Sequence, residues 1–130
     1  FTDMPMNHKV FLAQFDAIKK LASEGPCVMV GRCADYALAE YKDCFSVFVH
    51  ADTDWRISRL SQKHNKTAKE AKDMINKTDK SRSSYYNYYT NKKWGAAASY
   101  NLCVDSSKLG IDGAAKAIIQ AIEIFDSMKK

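Results

Sequence analysis

Apolar positions recur along this chain in two rhythms. Between residues 8 and 22, Phe11, Phe15, Ile18 and Ala22 fall three or four apart, with Lys19 and Lys20 off that stripe and Gly25-Pro26 closing the run. That spacing predicts an amphipathic helix. The second rhythm is short and continuous: CVMVG at 27–31, FSVFVHA at 45–51 and NLCVDS at 101–106 read as strands covered on both faces.

Helical stretches separate these runs. Residues 34–40 form a short one, and Asp52 or Thr53 can cap a helix running through Gln62. Thr67-Ala68-Lys69-Glu70 is a capping box, in which the hydroxyl and the carboxylate satisfy free amides at the start of a long helix. Thr90-Asn91 marks its break, and Asp112 can cap a last helix whose Ile118, Ile122 and Phe125 form a stripe suited to covering a sheet. The order predicts a single domain over residues 1–130 built on a parallel α/β sheet, without linker or repeat. Ligands of such sheets gather beyond the carboxyl ends of the strands. The polar residues there are Arg32 and Asp35, then His50, Asp52, Arg56 and Arg59, then Asp105, Ser106 and Ser107.

A chain of 130 residues has room for one sizeable core. No apolar run approaches the ~20 residues of a membrane-spanning helix, and FTDMPMNHKVF has neither a secretion signal nor a transit pattern. A soluble, cytoplasmic protein is expected. The chain opens at Phe1 without an initiator methionine, as a fragment would. Cys27, Cys33, Cys44 and Cys103 make no C-x-x-C pair and His8, His50 and His64 are scattered, so no metal site and no disulfide framework is expected. Cys27 and Cys103, inside apolar runs, read as buried and reduced.

Charge changes the picture more. Residues 56–93 hold 11 Lys or Arg against 3 Asp or Glu, so this block carries +8 of a net +5 and the rest sums to −3. A cationic middle suits an anionic ligand. Arg32 is either a surface partner of Asp35 or, at a strand end, a fork for a phosphate or carboxylate. Arg56 and Arg59, three apart, are either solvated or turned together into the crevice. Asp79, Arg82, Tyr86 and Tyr89 lie along one side of the long helix, either as an ion pair with packing rings or as ligand groups. Tyr85, Tyr86, Tyr88 and Tyr89 cannot share one face, since neighbours on a helix differ by ~100°. Lys92, Lys93 and Trp94 read as a phosphate-attracting mobile flap. His50 reads as a packed or capping residue.

Four stretches in order, VMVGRCADY, FVHADTDWRISRL, TDKSRSSYYNYYTNKKW and LCVDSSKLGID, resemble nucleoside monophosphate kinases of the cytidylate kinase-like family, over about residues 25–122. The resemblance implies a three-layer parallel sheet of the P-loop kinase type, ATP and Mg²⁺ as cofactors, and transfer of the ATP γ-phosphoryl group to CMP or a similar pyrimidine monophosphate. It implies a lid-like helical insertion at about residues 63–99. The family's glycine-arginine-aspartate turn falls on Gly31 and Arg32, with Asp35 two positions late. Its arginines beside the ATP side of the lid match Arg56 and Arg59, and its aspartate-x-x-arginine step, which binds the nucleoside, matches Asp79 and Arg82. The resemblance thus assigns catalysis to Arg56, Arg59 and Arg82, and substrate binding to Arg32, Asp35, Asp79, Arg82 and Tyr86. A family arginine four residues before the aspartate falls here on Ile75.

The sequence contains no G-x-x-x-x-G-K-[ST] and no looser glycine-rich phosphate loop. In the family the strand leading into that loop lies between those matching 27–31 and 45–51. An upstream segment or another chain is therefore expected to complete the sheet, and this chain alone is expected to be inactive. A non-catalytic nucleotide- or RNA-binding module is the alternative, resting on basic residues interleaved with aromatics; nucleic acid is the weaker expectation. A kinase relative with decayed activity is the third reading.

Overall fold

A computed structural model describes residues 4–129. The chain divides into two compact units, one ending at Cys44 and one beginning at Phe45. None of the described helices is long and apolar enough to cross a membrane.

The first unit is built on α1 (Met4–Glu24) and the short α2 (Ala34–Ala37). The helical stripe read from the sequence is the buried face: Ile18 packs with Ala34, Ala37 and Leu38, and Phe15, Ala22, Met29 and Cys44 close around them. Tyr36 adds its ring to Phe11 and Phe15, with centroids 6.4 and 6.0 Å away. Helix α1 ends before Gly25, whose φ of 149° and following proline prevent its continuation.

The expected strand at 27–31 is not formed. Those residues carry no strand pairing among the described residues, and Val28 and Val30 are 93 % and 89 % exposed. An apolar run becomes a strand only when a neighbouring edge takes up its backbone N–H and C=O groups. Cys27, expected to be buried, is exposed for the same reason, whereas Cys33 is buried.

The second unit contains β1 (Val47–His50), α3 (Thr53–His64), α4 (Ala68–Thr90), a 3₁₀ turn (Ala97–Ser99), β2 (Leu102–Asp105) and α5 (Ser106–Ser127). It is mostly helical around a small sheet, in which β1 and β2 pair in parallel from Val47↔Leu102 to His50↔Asp105. Asn101 extends the register: its side-chain oxygen accepts from the Ser46 amide at 2.9 Å and from the Ser46 hydroxyl at 3.0 Å.

Helix boundaries follow the caps. Asp52 accepts from the Trp55 amide at the start of α3, and the Thr67–Glu70 box opens α4 with both reciprocal bonds. Helix α4 ends at Thr90, where Asn91 turns left-handed with φ 58°. The last helix starts earlier than expected: Asp105, not Asp112, is its cap, accepting from the amides of Ser107 and Lys108, and Gly110 (φ 75°, ψ 168°) breaks the helical path just before Asp112. Helix α5 packs on both strands, and Phe125 from the expected stripe meets Phe45 at 5.1 Å.

Candidate nucleotide site

The carboxyl ends of β1 and β2 open into a cleft of about 450 Å³ lined by His50, Ala51, Asp52, Trp55, Asp105, Ser107 and Lys108. Parallel pairing brings both strand ends to one side, so the caps of α3 and α5 become neighbours. The Asp52 amide donates to the Ser107 hydroxyl at 3.0 Å, and the Ser106 hydroxyl donates to the His50 carbonyl at 3.2 Å. The Asp105 carboxyl is held below its ordinary range by the Ser107 hydroxyl above all, which acts against desolvation, with the amides of Ser107 and Lys108 and the charge of His50 adding less. His50, which the sequence reads as packed or capping, stacks on Phe48 at 6.3 Å and also lines this cleft.

Arg56 and Arg59 leave α3 in different directions. Arg59 lies over the ring of Trp55, itself a cleft residue, at 5.8 Å. Arg56 reaches α4 and grips Asp79 end-on, Nη1 to Oδ2 at 2.8 Å and Nη2 to Oδ1 at 2.9 Å. Arg82, one turn along α4, donates Nη2 to the same Oδ1 at 2.6 Å. One carboxylate thus holds two guanidiniums, with side-chain exposures of 24 % for Asp79, 29 % for Arg56 and 56 % for Arg82. Burial works to raise the Asp79 pKa, yet the bonds from Arg56 and then Arg82 outweigh it and hold the carboxyl below its usual range. The Arg56 guanidinium is pushed up by the same bond. The Asp79–Arg82 ion pair was one of two readings open from spacing; its third member, Arg56, was not legible there.

Arg82 also lies over the Trp94 ring at 5.4 Å. Trp94 is seated edge-on against Phe48 at 5.2 Å, and its amide donates to the Asn87 side chain at 2.7 Å. The Gly95 amide donates to the Tyr100 hydroxyl, and the Ser99 hydroxyl to the Lys93 carbonyl. The expected flap is therefore a tied turn along its backbone at 93–95. Nothing in the spacing could have placed Trp94 against Arg82, because Phe48, on a strand far away in sequence, supplies its seat.

The tyrosines divide as helix geometry demands. Tyr86 is 6 % exposed and stacks against Tyr100 at 6.0 Å, while Tyr88 is 58 % exposed. Tyr89 meets both Tyr85 and Tyr88. Ile75, four residues before Asp79, is buried on α4 with Ala71, so that position is a packing one.

Arg32 and Asp35 belong to the first unit. Gly31, Arg32 and Cys33 are successively left-handed, with φ 70°, 59° and 55°, and Arg32 is exposed at the tip of that turn. Such backbone costs roughly 1–2 kcal/mol per non-glycine residue. Asp35 accepts from the Tyr36 amide in the first turn of α2. Burial, with Asp35 adding to it, pushes the Cys33 thiol up to about 11, so it is a protonated packing group at neutral pH.

A protein-family model described as the cytidylate kinase-like family matches residues 1–108. A comparison with curated proteins finds no match. Among solved structures, the chain is similar to the crystal structure of an uncharacterized protein from Eubacterium ventriosum ATCC 27560, at 32 % identity and a TM-score of 0.86, over 90 % of this chain and 74 % of that one.

Proposed function

The chain belongs to the cytidylate kinase-like family, and from that premise we propose that it carries the acceptor and lid arginines of an ATP-dependent nucleoside monophosphate kinase. The reaction moves the γ-phosphoryl group of ATP to a phosphate oxygen of CMP or a similar pyrimidine monophosphate, releasing ADP and the diphosphate. The observation that carries this reading is the Arg56–Asp79–Arg82 group. Two arginines from separate helices share one carboxylate and leave an excess positive charge. Phosphoryl transfer asks little covalent chemistry of a protein and much placement of positive charge around the moving group.

In this reading Arg56 and Arg82 screen charge on the transferring group, with Arg59 bordering the ATP side. In the first unit, taken by itself, Arg32 is exposed on a left-handed turn, and the proposal gives it and Asp35 the role of contacts for a monophosphate. Strain held at an exposed arginine suits a ligand contact better than a fold contact. Mg²⁺, when bound with ATP, neutralises charge on the β- and γ-phosphates. Among the described residues no group of three or more His, Cys, Asp or Glu forms a metal cage. An ion of this kind would be held mainly by phosphates and water, and Asp52 and Asp105 are the carboxylates that this chain would offer it at the cleft.

The glycine-rich cradle for the ATP phosphates is assigned to a segment outside this sequence, upstream or on another chain. It would complete a three-layer P-loop sheet. On the described residues β1 pairs only with β2, so its other edge is open to a strand, and Val49 beside it is half exposed. RNA binding draws less support: Tyr86 is buried and Trp94 is packed on Phe48, which removes two rings from any stacking surface.

The test is to express the protein from its complete reading frame and measure ADP formation with CMP, UMP, dCMP, AMP and GMP. Turnover highest with a pyrimidine monophosphate is expected, together with a fall in kcat of about a hundredfold or more in Arg56→Ala. Inactivity with all five sinks the proposal. RNA affinity that falls steeply with salt and survives Arg32→Ala would favour the binding-module reading instead.

A further inference from the structure

Asp79 has little left to offer a ligand. A carboxylate presents about four lone-pair positions, and three guanidinium N–H groups already occupy both of its oxygens. The arginines are in the opposite state. The end-on grip uses one hydrogen from each terminal nitrogen of Arg56 and leaves its Nε–H and two outer hydrogens, while Arg82 spends a single hydrogen; among the described residues neither donates to any other group. We infer that Asp79 is a positioning residue that sets Arg56 and Arg82 as a pair for a nucleotide phosphoryl group, with Trp94 backing the Arg82 plane, and that Asp79 does not itself take up the nucleoside. The identity of the ligand rests on the kinase reading; the pairing does not.

Three features of the cluster support this role. Long arginine side chains lose substantial rotamer freedom when they bind, and a side chain already fixed at its far end loses less. Arg56 is fixed by the fork, and Arg82 by one bond and by Trp94, whose own amide is tied to Asn87. The second guanidinium beside Asp79 comes from α3, while position 75 of α4, one turn before Asp79, is a buried isoleucine. The cluster also retains one net positive charge, enough to favour an anion over a neutral nucleoside.

Plain electrostatics makes the opposite prediction, and this gives the test its sign. If Asp79 merely competed with phosphate for the arginines, its neutralisation would raise the local charge and tighten anion binding. Isothermal titration of the full-length protein with CMP, cytidine and inorganic pyrophosphate separates the cases. For a positioning role, Asp79→Asn weakens CMP and pyrophosphate by about tenfold or more and leaves cytidine within about twofold. Asp79→Glu recovers part of the loss, and Arg56→Lys, which keeps the charge but not the fork, gives a similar loss that does not add to that of Asp79→Asn.

Unchanged or tighter anion binding in Asp79→Asn overturns the inference. So does an equal loss for cytidine and CMP, which would make Asp79 a nucleoside contact, and so does a wild-type protein that binds none of the three probes. A wild type that binds pyrophosphate but no monophosphate removes the kinase reading alone, and the inference is then judged on pyrophosphate. Circular dichroism melting checks that each variant folds. Should Asp79→Asn fail to fold, Arg56→Lys carries the test, and undiminished anion binding in it overturns the inference.

Discussion

Arg56 on α3 and Asp79 on α4, twenty-three positions apart in sequence, meet in a two-point fork of 2.8 and 2.9 Å. The fork ties the first turn of one helix to the middle of the next. It also places a second guanidinium beside Arg82, which spacing along α4 alone could not do.

Removing Arg56 takes two of the three guanidinium bonds from the partly buried Asp79 and leaves it the one from Arg82. Arg56→Ala is therefore expected to lower stability by about 1–2 kcal/mol, while Arg59→Ala, whose side chain rests on Trp55, stays within about 0.5 kcal/mol of wild type. Urea unfolding midpoints of the two variants check the contrast.

The fork has a pH signature. Asp79 titrates lower in the folded chain than in the unfolded one, so its stabilisation is fully present above the unfolded value and is lost as pH falls through the folded value. The stability gap between wild type and Asp79→Asn should be constant through neutrality and narrow below about pH 4. Urea melts at stepped pH from 7 to 3 measure it.

At the start of α4, Thr67 accepts from the Glu70 amide at 3.1 Å while Glu70 accepts from the Thr67 amide at 3.0 Å. Thr67→Ala should cost about 0.5–2 kcal/mol, and Thr67→Ser much less. Thermal melting of both variants checks it.

Gly95 sits at φ 80° with space for a methyl group, since a Cβ there would meet the Phe48 ring at an ordinary 3.5 Å. The cost of Gly95→Ala is therefore one of backbone conformation, about 1–2 kcal/mol. A drop in melting temperature is expected; an unchanged value would show that the turn relaxes.

Arg32 offers the reverse trade. Its left-handed φ of 59° is one that glycine adopts freely. Arg32→Gly should leave stability unchanged or raise it by up to about 1 kcal/mol, and at the same time weaken CMP binding. Melting and titration on the same sample test both halves.

Local physics made much of the fold readable in advance. The stripe of α1, the capping box of α4, its end at Asn91 and two of three strands are each set by residues a few positions apart. The run at 27–31 shows where such reading stops: its composition is that of a strand, but a strand also needs a neighbouring edge, and Val28 and Val30 stay exposed without one. The start of α5 shows the same limit at finer scale. Asp105 and Asp112 are both competent caps, and the β2 end together with the break at Gly110 makes Asp105 the one used.

By itself, then, the sequence determined the helices, the caps of α3 and α4, the cationic block and the Asp79–Arg82 step, because propensity, capping and charge act over a turn or two of chain. Tertiary structure alone decided which groups meet. Arg56 joins Asp79, Arg59 turns to Trp55, and Trp94 is held by Phe48 under Arg82. Those pairings depend on how α3, α4 and β1 pack, and packing is settled by burying apolar surface across long separations in the chain, which no local spacing records.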